Sequence, residues 1–246
     1  MRQFGLIGYP LGHSFSKGYF TEKFKREGID ATYNNFPMAS VQEVPALMLA
    51  NPLLEGFNIT IPHKETIIPY LHSANDVVKT IGACNCVKIQ DGKMQGFNTD
   101  VIGFELSLKK YLRKEHAKAL VFGTGGASKA VQYILSKLGI EFIIVSRKME
   151  SNDGTINYES LTEDLLRSST LWINTTPVGM YPNEDSILPL NYEAIGARHY
   201  LYDLVYNPAE TRFLKEARQR GATIANGYDM LIIQAEESWR IWNSNE

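Results

Sequence analysis

Leu120-Val121-Phe122-Gly123-Thr124-Gly125-Gly126-Ala127-Ser128 decides how this chain folds. An apolar run meets a glycine turn, and a helical pattern follows over 128–138 with Gly139 behind it. The turn fits G-x-G-x-x-[GAS], with Ser128 in the last small position. The first glycine permits a tight turn, Gly125 lets backbone approach a pyrophosphate, and a small third residue lets helix and strand pack closely. The helix start adds free N–H groups and a partial positive charge. The next apolar run, 141–146, completes a βαβ unit. A site for NAD wants Asp or Glu at its end, to accept from the ribose 2′-OH. Here Ser146-Arg147-Lys148 follows. A guanidinium pairs a 2′-phosphate bidentately, so the pattern favours NADP. The alternative is that Arg147 and Lys148 are solvated loop charges.

Working outward, strands are expected over 171–174, 200–204 and 223–225, and a last helix over 230–242. Its stripe of Leu231, Ala235, Trp239 and Trp242 reads as core packing. Before the glycine turn, strands are expected over 4–8, 32–36 and 56–61, the last stopped by Pro62. Tyr19, Phe20 and Phe24 mark a helix over 16–27, with Gly28 just past its end. Ser40 and Glu43 form a capping box opening a helix through Leu49. Asp91-Gly92 joins 84–90 to 93–97 as a hairpin. A helix runs from Asp100 to about Lys114, with Phe104, Leu108 and Leu112 on one face. Strands alternating with helices give an α/β class with mostly parallel sheets, in two units.

Composition bounds the function. The 246 residues carry 25 Lys+Arg against 27 Asp+Glu, a formal net charge of −2 that argues against a dedicated nucleic-acid binder. A hydrophobic share of 44% excludes global disorder. Cys84 and Cys86 sit two apart on one expected strand, face the same way, and make neither a disulfide scaffold nor a zinc site. The N-terminal apolar run is too short for a signal peptide, and no run approaches the roughly 18 apolar residues of a membrane span. A reduced, cytoplasmic, soluble protein is expected.

The first unit holds polar residues where core and plain loops have no need of them. They are Ser14 and Ser16 ahead of a helix, Asn58, Thr60 and Lys64 at a strand end, Asn85 beside the cysteines, and Asp100 at a helix start. Singly, each has a local reading: Ser16 or Asp100 can cap a helix, Asn85 can be an ordinary strand residue, and Lys64 can be a surface charge.

Together and in order they resemble the shikimate dehydrogenase family. The segments are H-S-x-S at 13–16, N-x-T-x-P-x-K at 58–64, G-A-x-N ending at Asn85, N-T-D at 98–100, G-x-G-G-A-S at 123–128 and N-T-T-P-x-G-M at 174–180. Tyr202-Asp203-Leu204-Val205-Tyr206-Asn207-Pro208 and Gly227-Tyr228-Asp229-Met230-Leu231 followed by Gln234 complete the set. The resemblance implies an N-terminal α/β substrate domain with a mostly parallel sheet, a Rossmann-like NADP-binding domain and a cleft between them. The boundaries are 1–100, completed by a C-terminal helix over 228–246, and 101–227. It implies reversible NADPH-dependent reduction of 3-dehydroshikimate to shikimate, in chorismate and aromatic amino acid biosynthesis.

By the same resemblance Ser14 and Ser16 donate to the substrate carboxylate. Thr60, Asn85, Asp100 and Gln234, with Lys64, hold the ring hydroxyls, and Lys64 and Asp100 form the catalytic pair. Gly123, Gly125, Gly126, Ala127 and Ser128 hold the pyrophosphate, and Arg147 the 2′-phosphate. Thr176, Met180, Gly227 and Met230 line the nicotinamide side, and Tyr206 stands there and beside the substrate. The ligands are small molecules, with no metal, nucleic acid or membrane, in a monomer or homodimer. Three departures stand out: Lys17 replaces the usual proline, Val101 replaces a glycine, and no second arginine accompanies Arg147.

Reducing a ring ketone puts alkoxide character on its oxygen, which needs a proton or a cation. Lys64 can supply either. A free lysine titrates near 10.4; desolvation lowers that value and an ionised Asp100 raises it. The nearest alternative is a quinate/shikimate dehydrogenase using NAD or both cofactors. A folate-linked dehydrogenase lacks the H-S-x-S segment, and a non-catalytic NADP-binding regulator would not need Lys64 with Asp100.

Overall fold

A computed structural model describes residues 1–12, 14–147 and 154–244. The chain divides into two compact units, Met1–Thr99 with Ala235–Glu246, and Asp100–Gln234.

In the first unit the order is β1 (Arg2–Gly8), α1 (Phe15–Glu27), β2 (Ala31–Pro37), α2 (Val44–Ala50), β3 (Leu54–Ile59), β4 (Ser73–Ala74), α3 (Asp76–Ile81), β5 (Cys86–Gln90) and β6 (Lys93–Phe97). One six-stranded sheet runs β2-β1-β3-β5-β6-β4. β1 is parallel to β2 and β3, and β4 to β6, while β5 is antiparallel to both of its neighbours. The antiparallel step follows from the hairpin: Asp91 and Gly92 take φ of 52° and 72°, the left-handed pair a two-residue turn of this twist requires. The cap of α1 is Ser14, whose Oγ accepts from the Lys17 N–H at 3.3 Å, so Ser16 lies in the first turn instead of capping it. The capping box at Ser40 and Glu43 forms, but it opens a short 3₁₀ turn ahead of α2. β4 and α3 fall where the sequence pattern showed no element. Asn75 caps α3 and Gly82 ends it in the left-handed region.

The second unit holds α4 (Asp100–Lys109), β7 (Lys118–Phe122), α5 (Gly126–Lys137), β8 (Glu141–Val145), α6 (Glu163–Ser168), β9 (Leu171–Asn174), β10 (Tyr200–Asp203), α7 (Arg212–Gln219) and β11 (Thr223–Ala225). Its five strands are all parallel, in the order β11-β10-β9-β7-β8. Both faces are buried. Ala119, Val121, Ile173 and Tyr200 join one apolar cluster, and Leu120, Phe122, Trp172 and Leu201 the other. That is why these strands read as unbroken apolar runs. α4 stops at Lys109, short of the expected 114, where the Tyr111 N–H turns back to the Leu108 carbonyl.

The last helix, α8 (Tyr228–Asn243), opens in the second unit and ends in the first. Its Ala235 and Trp242 are buried with Phe4, Phe20 and Phe24. The Trp242 ring stacks on Phe4 at 4.7 Å, and its Nε1 donates to the Val87 carbonyl at 2.9 Å. Cys84 and Cys86 are buried thiols that are not joined in a disulfide. Among the described residues no helix is long and apolar enough to cross a membrane.

Candidate functional site

In the second unit the chain leaves β7 toward β8 on one side and returns as β9 on the other. This reversal of strand order opens a crevice beyond the carboxyl ends of β7 and β9, where open α/β sheets bind ligands. The glycine turn lies at the end of β7, and Thr175-Thr176 at the end of β9. Gly123 has a φ of 113°, and a Cβ there would sit 2.6 Å from Thr175 Oγ1 and 3.0 Å from Thr176 Cγ2. Only glycine serves there.

α5 starts at Gly126 with Gly125 as its N-cap and no side chain bonded to the helix end. Among the described residues, leaving aside its chain neighbours, nothing lies within 4 Å of where a Gly125 Cβ would stand. The first N–H groups of a helix have no partner inside it. Bare glycine backbone, open space and a positive helix end fit a pyrophosphate. The buried Ser128 turns its hydroxyl back to the Gly123 carbonyl at 2.7 Å, locking the turn, and leaves its N–H on the helix end. Arg147 is exposed just past β8, where its charge acts on the Tyr158 phenol. Lys148 and the short segment through Asp153 lie outside the described residues.

The remaining cofactor-side residues sit on neighbouring loops of this unit. The Thr176 N–H and Oγ1 both donate to Asn174 Oδ1, at 2.9 and 2.6 Å. Met180 is 42% exposed. Tyr206 is half-buried, which raises its phenol pKa. Gly227 is buried, with its N–H on the Val205 carbonyl at 3.2 Å. Met230 is packed into the apolar cluster with Phe104 and Tyr202. Asp100, buried, opens α4, and the buried Gln234 donates to the Leu231 carbonyl at 3.1 Å.

The first unit has its own reversal: β2 lies on one side of β1 and β3 on the other. Ser14 and Ser16 follow β1, and Thr60 and Lys64 follow β3. Because β5 runs against β3 and β6 against β5, the residues entering β5 and leaving β6 come to the same edge. Asn85 and Thr99 therefore join them. The joint is tight. The Thr60 N–H donates to the Ile7 carbonyl at 2.9 Å and the Tyr9 N–H to the Ile61 carbonyl at 3.0 Å. A Cβ on Gly8 would stand 2.4 Å from Thr60 Cγ2, so the close approach of these loops requires glycine there.

Lys64 is held by its backbone, its carbonyl accepting from the Cys84 N–H at 2.7 Å. Beside it the buried His63 places Nε2 2.7 Å from the Met38 carbonyl, a structural anchor. Ser14 keeps its hydroxyl proton while its oxygen caps α1, so it can donate to an anion at the positive end of that helix. The Lys17 substitution feeds this arrangement, since a proline has no N–H to give Ser14. His13, which opens the H-S-x-S segment, lies outside the described residues.

Asn58, singled out with Thr60 and Lys64, is wholly engaged inside the unit. It accepts from Tyr33 OH at 2.9 Å and donates to the Asn85 carbonyl at 3.2 Å and Ser238 Oγ at 2.8 Å. Thr99 Oγ1 lies 3.3 Å from the same Ser238 oxygen. Tyr33, Ser238 and Thr99 thus form a buried polar support beneath the edge. Nothing in the sequence pointed to Tyr33 or Ser238, which lie on β2 and α8.

Residues 6–87 match the family described as shikimate dehydrogenase substrate binding domain. The shikimate dehydrogenase (NADP(+)) of Staphylococcus epidermidis is 38% identical, over 99% of this chain and 93% of its own. The crystal structure of shikimate 5-dehydrogenase from Thermus thermophilus in complex with NADP(H) and shikimate is similar at a TM-score of 0.87 and 30% identity, covering 99% of this chain and 94% of that one. Quinate dehydrogenase from Corynebacterium glutamicum in complex with NAD is similar at a TM-score of 0.88 and 25% identity, covering 98% and 93%.

Proposed function

The chain belongs to the shikimate dehydrogenase family, and we propose that it reversibly reduces 3-dehydroshikimate to shikimate with NADPH, a step toward chorismate and the aromatic amino acids. The cofactor, when bound, supplies the hydride. Everything else falls to this chain's side chains and backbone.

Ser14 and Ser16 hold the substrate carboxylate at the positive end of α1. Thr60, Asn85, Asp100 and Gln234 orient the ring hydroxyls, with Tyr206 beside them. Asn85 Oδ1 and one of its amide hydrogens are spent on Thr99, so the second amide hydrogen is what it offers a ligand. Lys64 gives its proton to the ketone oxygen as negative charge develops there. In the reverse direction, neutral Lys64 takes the hydroxyl proton, while Asp100 fixes and polarises the adjoining hydroxyl. Gly125, Gly126, Ala127 and Ser128 present N–H groups to the pyrophosphate, Gly123 shapes the turn with its own N–H on the Val145 carbonyl, and Arg147 pairs the 2′-phosphate. Thr176, Met180, Gly227 and Met230 flank the nicotinamide. The first unit thus serves as substrate domain and the second as cofactor domain. The setting is the cytoplasm.

The observation that carries this reading is the shared edge of the first sheet. Strand order alone brings Ser14, Ser16, Thr60, Lys64 and Asn85 there from three separate segments. The test is NADP⁺ reduction followed at the nicotinamide absorbance with shikimate as sole substrate. Turnover is expected, and its absence under saturating shikimate rejects the reading. Turnover with quinate and NAD⁺ would favour a second reading, a quinate/shikimate dehydrogenase. The likeness to a quinate dehydrogenase and the single arginine after β8 favour that one.

A further inference from the structure

Asp203 closes β10 and is fully buried, and the reaction as proposed gives it no part. Its Oδ1 accepts from Asn174 Nδ2 at 2.9 Å and from the Val205 N–H at 3.0 Å, and its Oδ2 accepts from Thr211 Oγ1 at 2.6 Å. Asn174 closes the neighbouring β9 and carries the relation onward. Its amide nitrogen also reaches the Val178 carbonyl at 3.3 Å, while its oxygen takes both the N–H and the hydroxyl of Thr176. The Val178 N–H donates to Thr176 Oγ1 at 3.2 Å, which closes the loop on itself.

A carboxamide has one accepting end and one donating end. Turned by half a rotation, Asn174 would present NH₂ to the Thr176 N–H and oxygen to the Asp203 carboxylate, losing both sets of bonds. An acceptor at 203 therefore sets which way Asn174 faces, and that orientation shapes the 175–180 loop. Two further attachments, to Val205 and to the helix cap Thr211, bind the loop carrying Tyr206 to the same carboxylate.

We propose that Asp203 is a positioning residue for cofactor binding: by accepting from Asn174 it orients the amide that holds Thr176, and so preforms the loop on the nicotinamide side. The proposal rests on the assignment of Thr176 and Met180 to that side. It concerns Asp203 as an acceptor, not as a charge. Asparagine at 203 can still accept from Asn174 and Val205 through its oxygen and donate to Thr211 through its nitrogen.

Titration calorimetry with NADP⁺ alone and shikimate KM at saturating NADP⁺ test it, on wild type, Asp203→Ala, Asp203→Asn, Asn174→Ala and the Asp203→Ala/Asn174→Ala double variant. Loss of one orienting hydrogen bond predicts NADP⁺ binding weakened about tenfold in Asp203→Ala and in Asn174→Ala. The double variant is expected to be no weaker than the worse single one, since both act through one path. Asp203→Asn should stay within about threefold of wild type, and shikimate KM should hold within about threefold in Asp203→Asn and Asn174→Ala. Wild-type NADP⁺ affinity in Asn174→Ala, strictly additive losses, or equal losses for shikimate and NADP⁺ in Asn174→Ala would overturn the proposal. If Asp203→Ala does not fold, Asn174→Ala and Asp203→Asn still decide. Failure of wild type to oxidise shikimate would strike the functional reading instead, leaving the NADP⁺ affinities to be judged separately.

Discussion

The Asn85 side chain grips Thr99 from two atoms: its Oδ1 accepts from the Thr99 N–H at 2.6 Å and its Nδ2 donates to Thr99 Oγ1 at 3.0 Å. The two residues are fourteen positions apart, one just before β5 and the other just after β6. One carboxamide therefore fixes two corners of the edge proposed for the substrate. Asn85→Ala removes the side-chain acceptor of the buried Thr99 N–H and a partner of its hydroxyl, which keeps Ser238; this should destabilise the protein by about 1–3 kcal/mol in urea unfolding. Shikimate KM should rise with it. Unchanged stability would mean that the Thr99 groups find other partners.

Lys64→Ala removes the proposed proton donor and leaves the glycine turn's own residues unchanged. Its kcat should fall by about 10²–10⁴-fold, with NADP⁺ KM little changed. Wild-type turnover would remove Lys64 from the reaction.

The approach of Gly8 to Thr60 allows a compensation test. Gly8→Ala places a methyl 2.4 Å from Thr60 Cγ2. Overpacking of this kind costs about 1–3 kcal/mol. Combining it with Thr60→Ser deletes the clashing methyl and should recover part of the melting temperature lost. No recovery would show that the nearby Ile61 carbonyl, not Thr60, limits the space.

Arg147 stands exposed after β8, and the proposed function gives it cofactor selectivity. Arg147→Gln should raise NADP⁺ KM about tenfold while leaving NAD⁺ KM unmoved, as loss of a bidentate phosphate pair requires. Equal changes for both cofactors would place the 2′-phosphate elsewhere.

Stability should also titrate through Asp203. Burial pushes its carboxyl up to about 7 from 3.8, against the pull of the Thr211, Val205 and Asn174 donors. Between those values the folded protein binds a proton that the unfolded chain does not. The contribution of Asp203 is therefore complete below 3.8 and is lost as pH rises through about 7. Measured against Asp203→Asn, wild type should lose on the order of 2–4 kcal/mol between about pH 5 and about pH 8. A pH-independent difference between the two would place the folded carboxyl near its ordinary value.

Much of this was legible in sequence. The strands at 171–174 and 223–225 lie where their apolar runs place them, and the Asp91-Gly92 hairpin forms at its expected turn. Short elements escaped. α3 and α6 have only six residues each, too few for a helical stripe to stand out, although Asn75 and Thr162 carry cap signals. The sequence offers Ser16 as the cap of α1, and Ser14 takes that place because its Oγ meets the Lys17 N–H.

The glycine turn, the strand-helix alternation and the run of short polar segments follow from the sequence alone, because backbone conformation and apolar period are local properties. Which polar groups meet is not local. Asn174 finds Asp203 29 residues on, and Asn58 finds Ser238 180 residues on. Those partners are chosen by the order of strands in each sheet and by where α8 packs. A buried amide must be satisfied by whatever the fold brings within reach, and only the tertiary structure decides what that is.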